Sequence, residues 1–282
     1  MTVSMPAGTM TLSEITQACL QLSYADASPQ TWMRRLRPQL KRLRQSYRKD
    51  AVQVQYGDDR VAKAYMLAYA PYHIWQTYQV LDRLRPAAKS ALLAKKRITI
   101  AGFCSGPGPE LMALQWFLLH HQASCEQIDI AIYDKNAHSW KKNASYAAVQ
   151  FPNIKASWRY EERDINGFSI WNVALQQADI VFIQNCFNEL NTNNKSLCSL
   201  LRSMKVGASL LCSDLSSYSG NIHQMKQLST HLNETHRSSP LQNHKQYRFD
   251  YSDDVERHLF AREDGLWARR RLEFTSMILE RK

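Results

Sequence analysis

The run Ile98-Thr99-Ile100-Ala101-Gly102-Phe103-Cys104-Ser105-Gly106-Pro107-Gly108-Pro109-Glu110-Leu111 joins a β-type stretch to a Gly/Pro-rich turn and then to a helix start near Pro109. Gly106 and Gly108 carry no Cβ, so the turn can be tight and its backbone can lie against a ligand. The first amides of the helix point into the same crevice, which suits a nucleotide-like cofactor. Gly102, Cys104, Ser105, Gly106, Gly108 and Glu110 are the residues of this turn and first helical turn that would face it. A second β-type run, Ile128 to Tyr133, ends at Asp134, 26 residues after Gly108. A carboxylate there can accept hydrogen bonds from both hydroxyls of a ribose, or cap the helix that starts at Lys135. After the third run, Asp164 could meet an adenine amino group and Ile165 could pack on its ring.

A fourth run, Asp179 to Ile183, leads into Gln184-Asn185-Cys186-Phe187-Asn188-Glu189-Leu190. In open α/β sheets the ligand lies at this carboxyl edge. Gln184, Asn185 and Asn188 could hold cofactor or substrate there, and Glu189 could serve as a base or as a helix-start carboxylate. His138, four residues after Asp134, is a second candidate base but reads first as a helix-surface residue.

Positioning these residues takes alternating elements. After Lys95 and Lys96, short apolar runs at Arg97 to Phe103, Ile128 to Tyr133, Ala156 to Tyr160, Ile180 to Gln184 and Ala208 to Cys212 alternate with helix-length stretches, the pattern of a mostly parallel sheet. Tyr247 to Tyr251 and Arg270 to Leu279 read as a closing antiparallel pair, and 233–243 reads as a loop. The expected fold is α/β: a Rossmann-like, mostly parallel seven-stranded sheet with a final antiparallel hairpin over 95–282, preceded by a helical segment over 1–94. In that segment apolar residues recur at helical spacing, as in Leu36, Leu40, Leu43 and Tyr47. Ser28 with Pro29, and Asp58 or Asp59, suit helix starts, while Pro38, Pro71 and Pro86 mark ends or kinks.

Composition narrows the class of protein. A chain of 282 residues that is 44% hydrophobic can bury a large core, and no apolar stretch approaches the roughly 20 residues that span a bilayer. With no secretory signal recognisable at Met1 to Leu20, a cytoplasmic location and no membrane partner are expected. Cys19, Cys104, Cys125, Cys186, Cys198 and Cys212 stand singly, without metal-type spacing, and read as free thiols; no metal is expected. Only Cys104 and Cys186 fall in the chemically interesting segments. The net charge of +11 points to polyanions such as RNA, and Arg34, Arg35, Arg37, Lys41, Arg42, Arg44, Arg48 and Lys49 concentrate it on a helix-compatible stretch.

In order and spacing, these motifs resemble the class I S-adenosylmethionine-dependent methyltransferases over about 185 residues. Within that class, Phe103-Cys-Ser-Gly-Pro-Gly and Phe187-Asn-Glu-Leu are similar to the turn and the fourth-strand ending of the Rsm22-like ribosomal methyltransferase group. The stretch from Tyr65 to Leu84, with Tyr69, Pro71, Tyr72 and Tyr78, is similar to its upstream helix. The resemblance implies S-adenosyl-L-methionine as cofactor and methyl transfer to an acceptor, RNA being one, with Asn185, Asn188 and Glu189 at the reacting centre and Tyr65, Tyr69 and Tyr72 against the substrate. The chain departs from the pattern at Gly102, where an acidic residue usually faces the methionine amino group, and at Cys104, which replaces a glycine. It also lacks the cysteine cluster that some members carry. Three alternatives stay open: a small-molecule or protein methyltransferase with the N-terminal helices as lid, a non-catalytic binding protein on the same fold, and, last, a nicotinamide-dependent oxidoreductase. Sequence leaves the oligomeric state open.

Overall fold

A computed structural model describes residues 28–46, 58–140, 154–165, 173–190, 195–216, 219–246, 253–260, 266–268 and 271–282. Four helices come first: α1 (Pro29–Ser46), α2 (Asp59–Ala68), α3 (Ala70–Asp82) and α4 (Pro86–Leu93). There follow β1 (Arg97–Phe103), α5 (Pro109–His120), β2 (Gln127–Asp134), β3 (Lys155–Glu162), α6 (Val173–Gln177), β4 (Ile180–Gln184), α7 (Lys195–Arg202), β5 (Ser209–Leu215), α8 (Ser219–Leu232), β6 (His236–Ser238), β7 (Gln242–Gln246), α9 (Asp253–His258) and β8 (Leu272–Arg281). The sheet order is β3-β2-β1-β4-β5-β8-β6, with β7 also on β8; the first five strands are parallel and β8 runs antiparallel to β5. This is a Rossmann-like α/β sandwich with antiparallel end strands.

The central strands are covered on both faces, so they read as continuous apolar runs. Ile180 to Gln184 is buried throughout, whereas β3, at the sheet edge, shows the alternating exposure of a strand covered on one side. One core cluster joins α1 to α5 and α9 to one face, through Leu36, Leu67, Tyr78, Leu114, Ile100 and Phe182. The other sets Leu197, Leu201, Met225 and Leu228 against Val181, Ile183 and Leu210. Helix α3 is therefore part of the sandwich: it packs beside α5, where the Tyr78 and Phe117 rings meet edge to face at 6.1 Å.

Local signals explain the starts. Asp58 caps α2 by accepting the Arg60 N–H at 2.9 Å, and Pro71 and Pro86 occupy first turns, where a missing N–H costs nothing. Pro38, expected to end or kink a helix, lies inside α1 without ending it.

The sheet has eight strands rather than seven, because its last edge strand is broken. β6 pairs with Leu279–Arg281 and β7 with Leu272–Ser276, and Pro240, which has no N–H to offer the ladder, lies between them. Ser239 bridges the break: its N–H donates to the Ile278 carbonyl at 2.8 Å and its hydroxyl accepts the Ile278 N–H at 2.9 Å. Within 233–243, His236–Ser238 and the first two residues of β7 are thus strand, in part contrary to the loop expected there. An exposed polar edge strand carries no apolar pattern to betray it. The other expected partner, Tyr247 to Tyr251, lies outside the described residues.

The basic helix is partly committed within the fold. Arg34 bonds the His258 ring at 3.2 Å, Arg37 donates to the carbonyls of His258 at 2.9 Å and Arg257 at 2.8 Å, and Arg44 to that of Trp267 at 2.6 Å. Arg35, Lys41 and Arg42 are exposed; Arg48 and Lys49 lie outside the described residues. No described helix is long and apolar enough to cross a membrane.

Candidate functional site

The β1–β2 ladder runs one residue past β1, with Cys104 N–H donating to the Tyr133 carbonyl at 2.8 Å. The chain then turns through left-handed conformations at Cys104 (φ 54°), Gly106 (φ 52°) and Gly108 (φ 78°) into α5. Gly108 is required twice over: its φ favours glycine, and a Cβ there would stand 2.8 Å from the Trp158 ring and 3.0 Å from Ile132. At Gly102, a Cβ would stand 2.2 Å from the Ser105 hydroxyl. On the neighbouring strand, Asn185 is also left-handed, at φ 55°, with its N–H on the Ser213 carbonyl at 2.9 Å. From β1 the chain goes to α5 on one face, and from β4 to α7 on the other. The strand ends therefore diverge into the crevice where open α/β sheets bind ligands, flanked by two strained non-glycine residues.

Asp134 stands at that edge, buried, with one oxygen accepting the Gly106 N–H at 3.0 Å and the other the Asn136 N–H at 2.7 Å. Burial raises its pKa against these two bonds. Its carboxylate keeps lone pairs beyond the two in use. Glu110, in the first turn of α5, is 3% exposed, its Oε2 has no partner, and burial pushes its pKa up to about 8.

At the end of β4, Gln184 is hydrogen-bonded to Thr77 of α3, and Gln76 donates to the Ser213 hydroxyl at 2.8 Å. All four side chains are buried, and one amide atom of each glutamine, with Asn185 Oδ1, has no partner. The loop after β4 is held by Asp214 of β5, which accepts the Phe187 N–H at 2.9 Å and is pushed up to about 6 by burial. Cys186 is buried beside Cys104, and its thiol is held well above the usual range by that neighbour and by burial. All five described cysteines are free thiols; Cys19 lies outside the described residues. Among the described residues, no three His, Cys, Asp or Glu side chains gather as a metal site.

Other expected residues fall as follows. Asn188 and Glu189 are exposed, and Glu189 pairs with Lys135 across the end of β1. Asp164 is exposed, while Ile165 is buried in the cluster on the α7 face. Tyr65 reaches the turn indirectly: its ring lies 5.2 Å from that of Trp140, which stands 3.5 Å from where a Cβ on Gly106 would lie. Tyr69 stacks on Tyr65 at 5.4 Å, but Tyr72 is buried in the core on the α3 side. Sequence reasoning missed Trp140, Gln76, Thr77 and Asp214. The adjacent polar residues Gln76 and Thr77, set among Ile74, Trp75, Tyr78, Val80 and Leu81, were the available signal for the α3 pair.

No protein-family model and no curated protein matches the chain. Among solved structures it is similar to magnesium protoporphyrin IX methyltransferase from Synechocystis with bound S-adenosylmethionine, at 12% identity and TM-score 0.44 over 91% of this chain and 99% of that one. It is also similar to an S-adenosylmethionine-dependent methyltransferase from Methanosarcina mazei, at 11% identity and TM-score 0.43 over 70% and 98%. A third is phosphoethanolamine N-methyltransferase 2 of Haemonchus contortus in complex with phosphomonomethylethanolamine and S-adenosylhomocysteine, at 12% identity and TM-score 0.42 over 82% and 61%.

Proposed function

We propose that this protein is an S-adenosyl-L-methionine-dependent methyltransferase. The observation that supports this most is the left-handed turn from Cys104 to Gly108, tied through Gly106 to Asp134, in a sheet that ends on an antiparallel strand. Residues 95–282 form the cofactor-binding domain in this reading, and 1–94 the helical segment beside it. Groups at the strand ends fit such a ligand: Asp134 offers its remaining lone pairs to ribose hydroxyls, while Gln184 and Asn185 offer unpartnered amide atoms to its polar end.

The bound cofactor supplies an activated methyl group on a sulfonium centre. The chain's task is then to align an acceptor with that methyl and to exclude water. Asn185 and Asn188 sit on the rim where the acceptor would enter. Glu189 can take a proton from it only after leaving Lys135. Tyr65, Tyr69 and Trp140 form an aromatic wall over the turn, which favours a planar or apolar acceptor under the N-terminal helices. RNA is the second reading: it rests on Arg35, Lys41 and Arg42, the exposed remainder of the basic helix.

Calorimetric titration with S-adenosylmethionine and S-adenosylhomocysteine tests the proposal. Micromolar binding of both supports it. A folded protein that binds neither would instead be a scaffold on this fold.

A further inference from the structure

Cys104 and Cys186 are nucleophilic side chains at the strand ends that the methyl-transfer reading leaves without a role. They come from neighbouring parallel strands: β1 and β4 pair through Phe103 and Ile183, and the cysteines follow one and three residues later. The alternation of a regular strand would send Cys104 to the face opposite Phe103. With its left-handed φ of 54°, it packs instead against the cluster on the α7 face that holds Phe103, Ile183 and Cys186. There the two thiols meet in a side-chain hydrogen bond. Glycine would take the same φ without strain, so what position 104 gains from cysteine is the sulfur.

Backbone bonds to the strands alongside hold both cysteines in place. The Cys104 N–H donates to the Tyr133 carbonyl at 2.8 Å. On either side of Cys186, the Asn185 N–H donates to the Ser213 carbonyl at 2.9 Å and the Phe187 N–H to the Asp214 carboxylate at 2.9 Å. The pair is therefore preorganised, and joining it costs little chain entropy. Their surroundings differ. Cys186 is 2% exposed, and its thiol is held well above the usual range by the Cys104 thiol, by burial and by the acids Asp214 and Glu189. Cys104 alone among the described cysteines is not buried. An accessible sulfur with a buried partner behind it is the arrangement of an attacking and a resolving thiol.

We propose that Cys104 and Cys186 form a reversible oxidation site whose substrate class is hydroperoxides, with Cys104 attacking and Cys186 resolving. In the first step the Cys104 sulfur attacks one peroxide oxygen, the O–O bond breaks, a sulfenic acid forms on Cys104, and the other oxygen of hydrogen peroxide leaves as water. In the second, the Cys186 sulfur displaces the hydroxyl of that sulfenic acid, which leaves with the Cys186 proton as a second water. Two thiols and one hydrogen peroxide become one disulfide and two waters; the sulfurs are oxidised and the peroxide is reduced. A dithiol reductant reverses the reaction by exchange. The new bond ties the ends of β1 and β4 together at the crevice.

The test exposes the full folded chain to hydrogen peroxide, blocks the remaining thiols with an alkylating reagent and maps the sulfur linkages by peptide mass spectrometry. The natural protein should lose about 2 Da per chain as a single link between Cys104 and Cys186, and dithiothreitol should restore both thiols. In Cys186→Ala the reaction should stop at a sulfenic acid on Cys104, which dimedone traps. In Cys104→Gly, Cys186 should stay a thiol through the same exposure, because burial hides it from the oxidant. Free thiols at both positions after the exposure, a link from either to any other cysteine, or a link that forms only in unfolded protein overturns the inference. So does equal oxidation of Cys186 with and without Cys104. Should Cys186→Ala fail to fold, the linkage map of the natural chain still decides the pairing, and Cys104→Gly decides the order of attack.

Discussion

Asp134 accepts the backbone N–H of Gly106 at 3.0 Å, so the carboxylate placed to meet a ribose also pins the glycine turn to β2. The two roles separate by substitution. Asp134→Ala should weaken S-adenosylhomocysteine by at least tenfold, the loss of charge-assisted bonds worth roughly 1.5 to 3 kcal/mol, and should loosen the turn as well. Asp134→Asn keeps an acceptor for Gly106 but turns its NH2 towards the Asn136 N–H, so it should lose affinity and some stability while the turn stays tied to β2. Titration calorimetry and thermal unfolding read the two effects apart; equal affinity in Asp134→Ala would remove Asp134 from the site.

Thr77 and Gln184 connect α3 to the end of β4 inside the core. Thr77→Val leaves a buried amide without its partner and should cost about 1 to 3 kcal/mol in denaturant unfolding. Pairing it with Gln184→Leu should recover part of that loss, since the orphaned amide is then gone. Strictly additive costs would mean that the hydrogen bond contributes nothing.

Two of the three left-handed positions of the turn should respond in opposite ways. Gly108→Ala brings both an unfavourable φ and a Cβ against Trp158, and should cost about 2 to 4 kcal/mol. Cys104→Gly relieves φ 54°, so it should stay within about 1 kcal/mol of the natural protein although it removes a side chain. Cys104→Val, forcing a β-branched residue into the same conformation, should be the least stable of the position 104 variants.

Stability should fall as pH rises through neutrality. Glu110 is raised in the fold to about 8, so the unfolded chain releases this proton first and its contribution to stability falls between about pH 4.5 and 8. Between pH 6.5 and 8 the ligand-free protein should lose about 1 to 2 kcal/mol, and Glu110→Gln should flatten the decline. Below pH 6.5 the shifts oppose one another: His236 and His244, lowered by burial to about 4, remove stability as pH drops, while Glu110 and Asp214, the latter raised to about 6, add it back. Denaturant midpoints across pH 4 to 8 should therefore fall mainly above pH 6.5.

If the acceptor is RNA, replacing Arg35, Lys41 and Arg42 with glutamine should reduce the slope of log affinity against log salt by roughly two to three. An unchanged slope favours a small acceptor beneath Tyr65 and Trp140. Replacing Arg37 and Arg44 instead should destabilise the fold, because they bind the carbonyls of Arg257, His258 and Trp267 to α1.

The parallel core was legible in the sequence because burial on both faces forces unbroken apolar runs: β1 and β4 lie where Arg97 to Phe103 and Ile180 to Gln184 predict them. The turn from Cys104 to Gly108 was legible because glycine is the residue that tolerates its conformation and its crowding. The broken edge strand was not, since Arg237, Gln242 and Lys245 face solvent or the rim and carry no pattern. Nor could one dimension say which polar residues meet. Residue type marked Asp134 and Glu110 as candidates, but only tertiary packing decided that Asp134 spends lone pairs on Gly106, that Glu189 pairs with Lys135, that half of the basic helix serves the chain's own carboxyl-terminal segment, and that Glu110 is sealed away from every cation among the described residues. Such pairings depend on which strand ends and helix turns converge from distant parts of the chain, and local sequence fixes each element's shape but not its neighbours.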